Sequence, residues 1–342
     1  MKAGVTDFAR SLESFFIDFL ATEVGASKHT IRSYRDTFVL LIDFMKEKYG
    51  ISVNKIELSH FGKDVILSFL EWLELERKNC ASTRNQRFAA IRSFCDFLAR
   101  RDPARLASWQ SILSIRFRRA QSKAMNYMTI DGLKCLLDQI STENLNGRRN
   151  LTLLSLLYET GARVQELADL TPSSIRLEKP AIIRLHGKGN KIRIVPLRDQ
   201  MADMLTLYIK ENRLDLSSRN ESPLFFNSRY EKLTGSGVTY IINTYATMTR
   251  LTNPNIIPDR ISPHCFRHSR AMHLLQAGVN LVYIRDLLGH VSIQTTEIYA
   301  RADSTQKRLA LEKATENIMT VEIGDASWEK DKELKSFLKG LA

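Results

Sequence analysis

Apolar residues recur along this chain at three- and four-residue intervals over most of its length, a spacing that predicts helices. Leu12, Phe15, Phe16, Phe19 and Leu20 share one face of a first helix. Ser27 stands as a cap before a second stripe of Ile31, Tyr34, Phe38, Leu41 and Phe44. A third helix fits residues 64–78, and a fourth fits 82–101 with Phe88, Ile91, Cys95 and Leu98 turned inward. Four helices before residue 102 predict a small all-α domain.

The pattern then changes character. Residues 100–123 carry Arg100, Arg101, Arg105, Arg116, Arg118, Arg119 and Lys123 against the single acid Asp102, with Pro103 among them, and read as a basic linker. Past Thr129, a further cap, Leu133, Leu136, Leu137 and Ile140 resume the helical period, and an apolar helix follows at 151–158. Residues 181–186 and 191–197 flank Gly187-Lys188-Gly189-Asn190, which predicts a hairpin because Gly and Asn tolerate the positive φ of a tight turn. Helical spacing returns from about residue 200 to the end, and no repeat recurs at a period of about 20–50 residues. The expected fold is mainly α with a small antiparallel sheet. Its plan is a helical domain over 1–112, a linker over 113–127, an α+β domain over 128–303 and a tail over 304–342.

Charge narrows the function. Fifty Lys and Arg against 38 Asp and Glu give +12, which favours a polyanionic partner. From Asp303 onward seven bases meet eight acids, so the positive charge lies in the preceding 302 residues. No run of about 18 apolar residues occurs, and MKAGVTDFARSLESF carries charge where a signal peptide needs its apolar core. Membrane and export readings therefore fall away, and nucleic acid in the cytoplasm is the expected polyanion. Cys80, Cys95, Cys135 and Cys265 are far apart with no CxxC, and read as reduced packing thiols.

The outward positions of the second and fourth helices carry Lys28, Arg32, Arg35, Arg84, Arg87 and Arg92. They form a phosphate-binding surface if the two faces align, and an ordinary solvated exterior if they do not. Arg118 and Arg119 in the linker and Lys191 on the hairpin would extend it.

Four motifs in the second domain concentrate groups suited to a phosphodiester. The first is Thr160-Gly161-Ala162-Arg163-Val164-Gln165-Glu166, in which Arg163 and Glu166 alone read as an i, i+3 pair. The second is the hairpin tip with Lys188 and Lys191. The third is His264-Cys265-Phe266-Arg267-His268, and the fourth is Leu287-Leu288-Gly289-His290 with Tyr299 nine residues after the histidine. Zinc at His264 and His268 is disfavoured, since a metalloprotease needs Glu where Cys265 stands and no third ligand is evident.

Arg163, Lys188, His264, Arg267, His290 and Tyr299 occur in an order and spacing that resembles the tyrosine recombinase family, the phage integrases. The likeness runs through TGARVQE, HGKGNKIRIVPL, HCFRHSRA and LGHVSIQTTEIY, from about residue 8 to residue 303. Ala162 and Ala300-Arg301 depart from the family pattern without touching a reacting group. The resemblance implies a SAM-like core-binding domain that holds DNA, followed by a catalytic domain. It further implies that Tyr299 attacks one strand to give a 3′-phosphotyrosine, and that strands exchange through a Holliday junction among four protomers on two sites.

On this reading Arg163 and Arg267 clamp the non-bridging oxygens with guanidinium forks, and Lys188 protonates the 5′-oxygen, with Lys191 as the fallback. His264 exchanges a proton with Tyr299, and His290 donates a hydrogen bond to the phosphate. Glu166 orients Arg163 or a neighbouring helix and His268 packs or bonds locally, both outside the catalytic set. No metal, nucleotide or other cofactor is expected. Leu334, Phe337, Leu338 and Leu341 form a tail stripe suited to docking on a neighbouring protomer or on its own domain. Accessory or sister recombinases are compatible partners. Integration, excision or transposition of a mobile element is the preferred role. The alternatives are Xer-like dimer resolution, a related topoisomerase and a non-catalytic DNA-binding regulator.

Overall fold

The computed structural model describes residues 5–120, 125–187, 191–290 and 292–302. The chain divides into two compact units, Met1–Lys123 and Ala124–Ala342. Among the described residues no helix is long and apolar enough to cross a membrane.

In the first unit, α1 (Asp7–Ser14) starts at Thr6, whose hydroxyl accepts the Ala9 N–H at 3.3 Å. The predicted single helix over 12–20 is instead two kinds of turn, because Phe15–Glu23 continues with π-type bonds. The wider turn sets Phe15 among Phe38, Phe94 and Phe97, at ring separations of 6.1, 5.2 and 5.4 Å. α2 (Lys28–Tyr49) is capped by Ser27, as the sequence predicts, and ends on Gly50 in the left-handed region. α3 (Lys63–Leu75) and α4 (Ala81–Arg101) complete the predicted set. The stretch read as linker holds another helix, α5 (Leu106–Leu113), which buries Trp109 and Ile112 in the unit's core. It buries only those two residues of its eight, too few to stand out among the arginines.

In the second unit, α6 (Ile130–Asp138) is capped by Thr129, and α7 (Leu145–Thr160) begins at an Asn144 cap, earlier than the apolar run suggests. The short α8 (Val164–Ala168) leads to an antiparallel sheet of β1 (Ile175–Arg176), β2 (Ile182–His186) and β3 (Ile192–Pro196) in that order. β1 is two residues long, below what alternation can reveal. Ile175 pairs with Ile183, and Leu185 pairs with Arg193. Then follow α9 (Asp199–Glu211), α10 (Gly235–Thr252), α11 (Pro263–Gln276), α12 (Leu281–Leu288) and α13 (Gln294–Ala302).

Leu153, Leu156 and Leu157 of α7, Phe266 of α11, Ile242 of α10 and Ile183 and Leu185 of β2 share the main core. Each such side chain contributes about 2 kcal/mol on leaving water. A smaller cluster unites Met272, Ile284, Leu288 and Tyr299, and Tyr127 packs against it. That layer, formed by α11, α12 and α13, carries most of the chemistry-bearing side chains.

Candidate active site

α7 ends at Gly161 with φ of +57°, and the chain turns so that Arg163 becomes the N-cap residue of α8. Glu166, at the third helical position, accepts the Arg163 backbone N–H at 2.8 Å and its guanidinium at 2.8 Å. The same carboxylate accepts two bonds from Arg193 on β3, at 2.9 and 2.6 Å. Burial alone would raise the Glu166 pKa. The Arg193 bond, then the Arg163 backbone and side chain, outweigh burial and hold the carboxyl at about 2. Glu166 therefore joins two arginines, of which spacing shows only the nearer.

Arg267, three residues into α11 from His264, is 4% exposed and donates to the carbonyls of Gly161 at 2.7 Å and Leu288 at 2.6 Å. It ties together the ends of α7 and α12, satisfying carbonyls that a helix C-terminus leaves open. Burial, then the charges of Arg163 and Arg193, lower its pKa to about 10, so it stays cationic at neutral pH. Gly289, with φ of +65°, turns the chain out of α12 and presents His290, whose Nδ1 lies 2.9 Å from the Thr296 hydroxyl. Burial and then Arg267 bring His290 to about 4.

Tyr299 of α13 is 1% exposed, its ring parallel to that of His290 with centroids 6.4 Å apart. Its hydroxyl lies 3.1 Å from Nδ1 of His268. The family resemblance implies His264 as the tyrosine's proton partner, with His268 packing or bonding locally. In the structure His268, one turn deeper on α11, meets the hydroxyl, and His264 stands exposed at the helix start. Burial, then His264 and Arg267, lower His268 to about 4, so its ring is neutral at pH 7 and Nδ1 can accept the Tyr299 O–H. Partial enclosure and the charges of Arg267 and Arg163 also lower His264. Burial raises Tyr299 above its ordinary value, opposed by Arg267 and Arg163, whose fields reach it.

Arg163, Gly187, Lys191, Arg193 and His290 line a cleft of about 890 Å³. Its cationic wall suits an anion, and Arg267 and Tyr299 lie buried beside His290. Lys188 falls outside the described residues, as does the tail stripe from Leu334 to Leu341.

The basic surface of the first unit needs correction. Arg84 is 8% exposed, with Nε 3.7 Å from Glu74, and Arg87 donates to the Ser33 carbonyl at 3.1 Å and the Thr37 hydroxyl at 3.3 Å. Arg92 likewise bonds the Ile115 carbonyl at 3.3 Å. These guanidiniums tie helices and the segment after α5 together instead of facing outward, because each long stem reaches a carbonyl or carboxylate within its own unit. Lys28, Arg32, Arg35, Arg118, Arg119 and Lys191 are exposed. Of these, Arg35 pairs with Asp36 at 2.8 Å, and Arg118 bonds Glu74.

Spacing alone missed Arg193 and the His268–Tyr299 pair. A signal for the first was present: β3 turns Ile192 and Ile194 outward, 58% and 59% exposed, while Arg193 shares the inward face with buried Val195. An arginine at an inward register between two water-facing isoleucines marks a polar demand inside.

Comparison with known proteins identifies the family and the fold. The phage integrase family model matches residues 126–306, and the phage integrase N-terminal SAM-like domain matches residues 14–102. The putative integrase/recombinase y4rC of Sinorhizobium fredii is 32% identical over 304 residues, 89% of this chain and 90% of that one. Tyrosine recombinase XerD of Staphylococcus epidermidis is 31% identical over 86% of this chain and 94% of its own. The XerH recombinase in a post-cleavage complex with palindromic difH shares the fold, with a TM-score of 0.65 at 20% identity over 89% of this chain and 86% of that one. The Tn1549 transposon integrase bound to transposon right end DNA gives 0.67 at 14%, covering 87% and 98%.

Proposed function

Since the chain belongs to the phage integrase family and is thereby a tyrosine recombinase, an enzyme that cuts and rejoins DNA, we propose that its cleft holds one scissile phosphodiester and that Tyr299 is the nucleophile. The observation that carries this reading is the gathering of Tyr299, His290, Arg267 and Arg163 about one cationic cleft. A tyrosine of ordinary pKa near 10 is a poor nucleophile at neutral pH, so the phosphate must be made electrophilic and the proton given a route. Arg163 binds the non-bridging oxygens, and Arg267 holds the His290 loop and adds its charge, which grows in worth as the phosphorane forms. Attack forms the Tyr299 Oη–phosphorus bond and breaks the bond to the 5′-oxygen, which takes its proton from Lys188. The phosphotyrosine conserves the bond for rejoining, so neither ATP nor metal is needed.

With its hydroxyl buried against His268, Tyr299 has to be carried outward by α13 before it reaches phosphorus. His264, exposed at the start of α11, is then the partner that takes the proton, while His268 keeps the hydroxyl in the withdrawn position. The exposed Lys28, Arg32, Arg119 and Lys191 contact backbone phosphates. Four protomers on two duplex sites exchange strands through a Holliday junction, in the cytoplasm, for integration, excision or transposition of a mobile element. The likeness to XerD supports dimer resolution as the second reading.

The test is covalent trapping on nicked duplexes drawn from the DNA flanking the gene, in EDTA without ATP. Wild type should give a denaturant-resistant protein–DNA band and Tyr299→Phe none. A band that persists in Tyr299→Phe would remove the nucleophile assignment, and one lost on chelation would refute metal independence. Duplex binding with no band in wild type would instead favour a DNA-binding regulator.

A further inference from the structure

Arg193 has no part in the catalytic set proposed above, and its position runs against the hydrophobic pattern. β3 is an edge strand that turns this arginine inward and leaves its isoleucine neighbours in water. Once inside, the guanidinium makes three bonds: two to Glu166, at 2.9 and 2.6 Å, and one from Nε to the Leu287 carbonyl at 2.9 Å. It packs so closely on Gly289 that a Cβ there would stand 3.0 Å from Arg193 Cδ. One end of the side chain therefore touches the carboxylate that holds Arg163, and the other touches the turn that presents His290.

We infer that Arg193 is a positioning residue for strand cleavage: it occupies both oxygens of Glu166 so that Arg163 stays available to phosphate, and it fixes the Gly289 turn so that His290 faces the same cleft. The inference rests on the recombinase reading. Glu166 now gives the Arg163 side chain one bond, at 2.8 Å. Without Arg193 both carboxylate oxygens are open to the Arg163 fork, and a bidentate carboxylate pair would draw that fork out of the cleft and cancel its charge. An inward arginine on an edge strand can also serve merely to discourage strand pairing. The two roles differ in what happens when Glu166 is neutralised as well.

The full-length protein is compared as wild type, Arg193→Ala, Arg193→Lys, Glu166→Gln and the Arg193→Ala/Glu166→Gln double variant. The rate of covalent adduct formation on the nicked duplex is read beside duplex affinity and thermal melting. Arg193→Ala should slow adduct formation by about 100-fold with affinity little changed, the scale expected when a catalytic group is displaced by about 1 Å. Arg193→Lys, which keeps charge but loses the fork, should slow it by about tenfold. The double variant should be faster than Arg193→Ala by about tenfold, because a neutral amide no longer captures Arg163. A double variant slower than Arg193→Ala, or Arg193→Ala at the wild-type rate, would overturn the inference. Should Arg193→Ala fail to fold, Arg193→Lys with and without Glu166→Gln reads the same sign.

A crystal structure of Arg193→Ala, or of Arg193→Lys in its place, decides the matter without DNA. Glu166 should have both oxygens on the Arg163 guanidinium, in place of the one side-chain bond and one backbone bond of the wild type, and an Arg163 left as in the wild type would sink the proposal. That arm stands even if no duplex yields an adduct with the wild type, an outcome that counts against the recombinase reading alone.

Discussion

At the residue scale, the site is a set of charged arginines around histidines that are neutral at pH 7. His268 and His290 are each held at about 4, chiefly by burial, against an ordinary 6.5. In the unfolded chain both would take up protons as pH falls below about 6.5, whereas in the folded protein they do so only near 4. Their depressed values therefore contribute stability that is fully present above pH 6.5 and lost as pH falls towards 4, on the order of 2 kcal/mol each. His268→Gln removes one such group and keeps a polar partner for the Tyr299 hydroxyl. The melting temperature of the wild type should fall more steeply between pH 7 and pH 4.5 than that of His268→Gln, other titrating groups being common to both. Parallel curves would show that His268 is not held neutral by the fold.

At the scale of elements, the ends of helices do the positioning. Gly161 closes α7 with φ of +57°, and a Cβ there would stand 2.8 Å from Leu288 Cδ2, beside the carbonyl that Arg267 holds. Gly278 has φ of +80° and open space around it. Alanine at either position incurs backbone strain of about 1–2 kcal/mol, but only Gly161→Ala also pushes on the α12 terminus. Both variants should melt lower. Adduct formation should slow by about tenfold in Gly161→Ala alone, through displacement of Arg267 and His290. Equal rates in the two would mean that the helix ends do not set the catalytic geometry. The same scale shows what the sequence could tell. Long stripes and side-chain caps made α2, α4 and α6 readable, because Ser27 and Thr129 act on residues three positions away. The π-type turn at Phe15–Glu23, the short α5 and the inward Arg193 were not readable, because distant aromatic rings, a short buried face and a remote carboxylate decide them. Motif order points to the arginines and Tyr299. The pairs Arg193–Glu166 and His268–Tyr299 join residues 27 and 31 apart, beyond any helical or strand period.

At the scale of the whole molecule, the positive charge and the apolar tail stripe lie in different parts of the chain. Residues 1–302 hold 43 bases and 30 acids and so carry all of the positive excess, and residues 325–342 hold four bases and four acids, so removing them changes no net charge. Each phosphate contact releases counterions, and the logarithm of affinity falls with the logarithm of salt by about 0.9 per contact. If the exposed bases of the first 302 residues meet the phosphates, deleting residues 325–342 leaves both the affinity for one duplex site and its salt slope unchanged. The deleted segment carries the stripe Leu334, Phe337, Leu338 and Leu341 behind Trp328, whose burial on a second protomer would be an apolar, weakly salt-dependent contribution. Its loss should therefore reduce complexes that pair two sites, measured by native gel or light scattering with duplex present, far more than it reduces single-site binding. A shallower salt slope in the shortened protein would place phosphate contacts in the tail. Unchanged pairing would show that the stripe packs on its own chain.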